Sequence, residues 1–159
     1  MIKIFVIAVG KLKEKYFVSA AEEYIKRLKR YCNTEIIEIP AKNISENPGA
    51  AETARQIEAE GKAILQKIPK NCAVISLAIE GNEISSEKFA AVTEDYKNSG
   101  KNICFIIGGS YGLSEEVKNA SDYKISFSKM TFPHKLFRVM LLEQIYRAFK
   151  INEGSAYHK

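Results

Sequence analysis

Ile103-Cys104-Phe105-Ile106-Ile107 runs without a break into Gly108-Gly109-Ser110-Tyr111-Gly112, and after Leu113 comes Ser114-Glu115-Glu116. The first five residues are apolar and rich in isoleucine, which suits a strand hidden on both faces. The glycines then bare the main chain, and a serine followed by two acids is a helix-start signal. Strand, tight turn and helix in that order form the repeating unit of an α/β fold. Outward from this stretch, residues 2–9 and 73–79 are apolar runs of the same kind, and 35–39 and 123–127 are shorter strand candidates. Helical spacing occupies 16–31, 50–68, 86–98 and 134–151. The alternation predicts a mostly parallel sheet flanked by helices, with residues 41–49 as a mobile loop inside it.

With 159 residues, 46% hydrophobic and 27% charged, the chain has the length and composition of one domain, 1–159, with a core of its own. Collagen-like and disordered classes are excluded. Lysine and arginine total 24 against 19 acids, a net charge of +5 that favours an anionic partner. Cys32, Cys72 and Cys104 are dispersed in apolar stretches, which points to a reducing cytoplasm. The apolar run 4–9 is too short to cross a bilayer, so no membrane association is expected. Two histidines without a spaced acidic or cysteine partner make a poor ligand set, and no metal is expected.

Read literally, 108–112 satisfies the G-x-S-x-G pattern of a serine hydrolase elbow, and Asp122 and His134 follow in the required order. Against that reading, Gly112 and Leu113 separate Ser110 from its helix start at Ser114. The same glycines suit a ligand-binding edge, where main-chain groups meet a flat polar molecule without Cβ interference. A tight connection without ligand is the other reading. Neither a dinucleotide fingerprint nor a phosphate loop is present. Residues 126–134 mix apolar and hydroxyl side chains ahead of Pro133, a residue suited to a helix start. His134 then stands in the positive first turn, which disfavours its protonation. The helix that follows carries Leu136, Phe137, Val139, Met140, Leu141, Leu142, Ile145, Tyr146 and Phe149, more than one apolar stripe. That surplus predicts a homodimer built on this helix.

VGKLKEKY (9–16), FIIGGSYGL (105–113), ISFSKMTFPH (125–134), EQIYRAFKI (143–151) and AYHK (156–159) together resemble the ribosomal RNA large-subunit methyltransferase H family of the SPOUT class. The likeness runs over essentially the whole chain. It implies an α/β fold with a C-terminal trefoil knot, S-adenosyl-L-methionine as cofactor, and methylation of N3 of a pseudouridine in 23S rRNA. The cofactor residues it implies are Leu77, Gly108, Phe127, Ser128, Lys129, Met130, Thr131 and Phe132. The catalytic group it implies is His134, Arg138, Tyr157, His158 and Lys159, with the tail of one subunit completing the pocket of its dimer mate. In that scheme His158 or His134 takes the imide proton, while Arg138 and Lys159 stabilise the anion or neighbouring phosphates. Lys135 departs from the family, where glutamine is expected, and sets a charge beside His134. The substrate is expected to be 23S rRNA in the assembled ribosome or large subunit, met in the cytoplasm. A non-catalytic RNA-binding module is the competing class, and a donor pocket is what would set the two apart.

Overall fold

Period-two alternation sorts the apolar runs onto two faces of one sheet. The computed structural model describes residues 1–158. Its elements are β1 (Lys3–Val9), α1 (Lys15–Leu28), β2 (Asn33–Ile39), α2 (Ala50–Lys67), β3 (Cys72–Glu83), α3 (Ser86–Asn98), β4 (Asn102–Ile107), α4 (Glu115–Asn119), β5 (Tyr123–Ser126) and α5 (His134–Asn152). Ile4, Val6, Ala8, Ile103, Phe105, Ile107, Ile75 and Leu77 face one core, closed by α1, α3 and α5. Phe5, Ile7, Val9, Cys104, Ile106 and Val74 face the other, closed by α2 and α4. Strands buried on both sides read as unbroken apolar runs, as β1, β3 and β4 do.

The sheet has the order β2-β1-β4-β3-β5, and every pairing is parallel. The expected α/β class is therefore what the chain adopts. Several boundaries differ from the expectation. β2 begins at Asn33 rather than residue 35, because Asn33 pairs with Lys3. α1 ends at Leu28 rather than residue 31, since Tyr31 and Cys32 both donate their N–H to the Leu28 carbonyl and turn the chain into β2. β5 stops at Ser126, one residue short. β3 continues to Glu83 instead of stopping at 79, with a register shift against β5 between Leu77 and Asn82. The loop 41–49 is irregular and is tied to α2 by Ser45 Oγ to Glu52 at 2.8 Å and by Gln56 Nε2 to the Lys42 carbonyl at 3.2 Å.

Gly81 makes the shifted β3–β5 contact possible. A Cβ there would lie 2.7–2.8 Å from main-chain atoms of Lys124 and Ile125, closer than real Cβ atoms come. Gly81→Ala must push β5 away from β3, and the expected loss is about 1–3 kcal/mol of stability in urea unfolding. An unchanged midpoint would mean that the two strands do not approach as closely as described.

Candidate functional site

Because all five strands run parallel, their carboxyl ends share one edge, and the connections leaving that edge build a cleft. One wall is the turn after β4. Gly112, at φ +87, donates its N–H to the Gly109 carbonyl at 3.1 Å, and a Cβ on Gly108 would meet the Gly112 carbonyl oxygen at 2.8 Å. Behind the turn stands Glu60, whose Oε2 would be 3.0 Å from a Gly109 Cβ. Burial pushes the Glu60 carboxyl up, although a hydrogen bond from Gln56 Nε2 at 2.7 Å works in the opposite direction.

The second wall is the segment from β5 to α5. Ser126 Oγ donates to the Ser128 carbonyl at 3.0 Å, Ser128 Oγ accepts from Met130 N–H at 3.0 Å, and the rings of Phe127 and Phe137 lie 4.7 Å apart. Between the walls is a cleft of about 670 Å³. Of the residues expected to contact the cofactor, Leu77, Gly108, Phe127, Ser128, Met130, Thr131 and Phe132 line it, and His134 lines it too. Lys129 is exposed and lies outside the lining. Ile125, Phe127 and Phe132 also border a second cavity of about 320 Å³ against α3 and α5. Sequence reasoning missed Glu80 and Lys118, which bring opposite charges into the cleft. They are far apart in the chain and share no local pattern, so no signal in the sequence joins them.

The serine-hydrolase reading is overturned. Ser110 is exposed at the carboxyl edge, whereas Asp122 precedes β5 at the opposite end of the sheet. Its carboxylate accepts the Val74 N–H at 2.7 Å, so it supports the strand rather than a histidine.

At the start of α5, Arg138 is 2% exposed and donates from Nη1 to Glu38 Oε2 at 2.7 Å and from Nη2 to the Gly10 carbonyl at 3.0 Å. Glu38 Oε2 also accepts the Leu12 N–H at 2.9 Å. Partial burial raises the Glu38 carboxyl, but Arg138 and the Leu12 N–H outweigh it and hold it below the usual carboxylate value. Lys135, the residue that departs from the expected glutamine, is engaged by Glu14 Oε1 at 2.7 Å. These contacts dock the β1–α1 connection against the first turns of α5. His134 makes no hydrogen bond among the described residues. Burial depresses its pKa, and the neighbouring charges of Lys135 and Arg138 depress it further, against a smaller opposing effect of Glu14.

The tail is elsewhere. Tyr157 Oη donates to Glu143 Oε1 at 3.3 Å, Arg147 stacks 4.8 Å from the Tyr157 ring centre, and His158 lies 3.2 Å from Arg147 Nη1 and 2.7 Å from Glu87 Oε1. Since a guanidinium can only donate, His158 Nδ1 accepts and Nε2–H donates to Glu87. At 1.5 Å per residue, Arg147 is about 20 Å along α5 from His134. The structure thus brings His134 to the cleft with the expected cofactor residues, sets Arg138 behind it, and leaves Tyr157 and His158 apart. Lys159 lies outside the described residues. Among the described residues no cluster of His, Cys, Asp or Glu is placed to hold a metal, and no helix is long and apolar enough to cross a membrane.

A histidine with a depressed pKa binds fewer protons in the folded than in the unfolded chain. The resulting stability loss therefore begins as pH falls through the unfolded value near 6.5 and is complete below the folded one. His134→Gln should remove this component, so the drop in urea midpoint between about pH 7.5 and about pH 5.5 becomes shallower than in the parent. Identical drops would show that His134 is not held neutral by its surroundings.

A family model described as "Predicted SPOUT methyltransferase" matches residues 2–158. Ribosomal RNA large subunit methyltransferase H of Clostridium perfringens is 56% identical over 157 residues, covering 98% of this chain and 99% of that relative. The protein of the same name from Clostridioides difficile is 50% identical over the same length and coverage. Among solved structures, a methylase family protein from Neisseria gonorrhoeae aligns with a TM-score of 0.51 at 11% identity, over 91% of this chain and 81% of that one, a likeness of fold alone. A parallel α/β sheet, a glycine-turn cleft at its carboxyl edge and these full-length likenesses agree: the chain belongs to the SPOUT methyltransferase family.

Proposed function

We propose that this protein transfers a methyl group from S-adenosyl-L-methionine to N3 of a pseudouridine in 23S ribosomal RNA, working in the cytoplasm on the assembled ribosome or large subunit. The observation that carries this reading is the cleft. Its size falls within the range of about 300–1,000 Å³ typical of small-molecule sites. Its walls combine apolar side chains, open main chain around Gly108–Gly112, hydroxyls and one pair of opposite charges, which suits a purine joined to a zwitterion. The names of the full-length relatives and the net charge of +5 support a ribosomal RNA substrate.

When bound, S-adenosylmethionine supplies an electrophilic methyl group on a sulfonium. The chain's own residues do the rest. Leu77, Phe127 and Phe132 exclude water, and the main chain of residues 108–112 and 127–132 offers N–H and C=O groups to the adenine. His134, its pKa depressed, stays neutral near pH 7, with neither ring nitrogen hydrogen-bonded among the described residues, and accepts the N3 proton of the target base. Arg138 acts as an anchor, because its terminal nitrogens already hold Glu38 and Gly10 and so fix the turn that presents His134. Lys129, exposed beside the cleft, meets RNA phosphate.

The tail enters through a homodimer. Leu136, Phe137, Val139 and Met140 are left half-buried on α5, an apolar surface suited to a second copy. Tyr157, His158 and Lys159 are proposed to complete the pocket of that mate, a role His158 takes up once it leaves Arg147 and Glu87.

Calorimetry with S-adenosylhomocysteine should show binding to the unmodified protein, and His134→Ala should slow methylation of ribosomes about 10²- to 10⁴-fold. Absence of heat with S-adenosylhomocysteine would remove the methyltransferase reading, while full turnover by the variant would remove His134 as base.

A further inference from the structure

Among the described residues, two bring fixed charge of opposite sign into the cleft: Glu80 from the shifted end of β3 and Lys118 from α4. The remaining lining is apolar, hydroxyl or main chain, apart from the His134 imidazole. Glu80 and Lys118 are ion-paired, and Glu115 Oε1 stands 3.3 Å from the same Lys118 nitrogen. The Lys118 side chain is 18% exposed, so its ammonium is largely withdrawn from water, whereas the Glu80 side chain is half open. The bond from Glu80 raises the Lys118 pKa, and the same bond lowers that of Glu80, which keeps both groups charged across the physiological range. A partly exposed ion pair of this sort adds little to folding. Two carboxylates around one ammonium also leave the rim with a surplus of negative charge, ready for a second cation.

We propose that Glu80 and Lys118 receive the amino-acid end of the methyl donor, Lys118 binding its α-carboxylate and Glu80 its α-ammonium. This rests on the reading of the cleft as the donor site. A zwitterion inserted between the two exchanges one ion pair for two, so neither side chain is left as a bare, half-buried charge. The hydrogen bonds formed are charge-assisted on both sides. The apolar and main-chain walls recognise what the donor shares with any thioadenosine, and the pair recognises what distinguishes it. Glu80 and Lys118 are thus specificity residues for the donor against nucleosides that lack the amino acid.

Calorimetry on the full chain tests this with two ligands, S-adenosylhomocysteine and 5′-methylthioadenosine, which share the thioadenosine and differ in the amino-acid end. The unmodified protein should bind the first at least about tenfold more tightly. Lys118→Met and Glu80→Gln should each abolish most of that preference while leaving methylthioadenosine affinity unchanged, and Lys118→Arg should keep the preference. Three results would overturn the proposal: retained preference in either Lys118→Met or Glu80→Gln, equal affinity of the unmodified protein for the two ligands, or a parallel loss of both ligands, which marks a structural pair. If the unmodified protein binds neither ligand, the donor-site reading falls too, which separates that failure from the others.

Discussion

Two-sided burial of β1, β3 and β4 is the constraint on which the rest of the structure depends. A strand with water on neither face must be covered above and below, so each connection leaves the sheet, passes through a helix and returns in the same direction. Here that places α1, α3 and α5 on one face, and α2 and α4 on the other. It also brings every carboxyl end to one edge. The cleft follows from that geometry before any functional residue is considered.

Within the edge, the interactions differ in weight. Exposed pairs such as Arg27–Glu23 and Lys62–Glu58 lie along helix surfaces, where solvent screening leaves them little weight. The Arg138 guanidinium is of another kind, because it is withdrawn from water and its Nε has no partner among the described residues. Losing Glu38 would take away its carboxylate partner and leave the Gly10 carbonyl to hold a guanidinium withdrawn from water. Through the Gly10 carbonyl and the Leu12 N–H on Glu38, Arg138 fixes one docking of the β1–α1 connection on α5, and that docking surrounds His134 with the groups that depress its pKa. Electrostatics at the site is a consequence of how the first loop meets the last helix.

The division between cleft and tail has a related cause. α5 runs from His134 at the carboxyl edge back across the core, and the tail emerges near its far end. Glu143, Arg147 and Glu87 then hold Tyr157 and His158 there. A chain with this path keeps its two histidines apart, His134 at the cleft and His158 against Arg147 and Glu87.

The α/β class, the order of elements, the cap at Ser114 and most of the cleft lining were legible in the sequence. They follow from local patterns: unbroken apolar runs, glycines at a strand end, and a proline ahead of a helix. Three-dimensional folding alone decided the strand order, the extension of β3 past Gly81, the burial of Arg138 against Glu38, and the meeting of Glu80 with Lys118. Each of these joins residues distant in the chain, and their partners are selected by packing geometry and desolvation, which no periodicity records. The amino-acid order determined which segments become strands and helices and where main chain lies open; the tertiary structure decided which charges face one another, because that depends on how the layers stack.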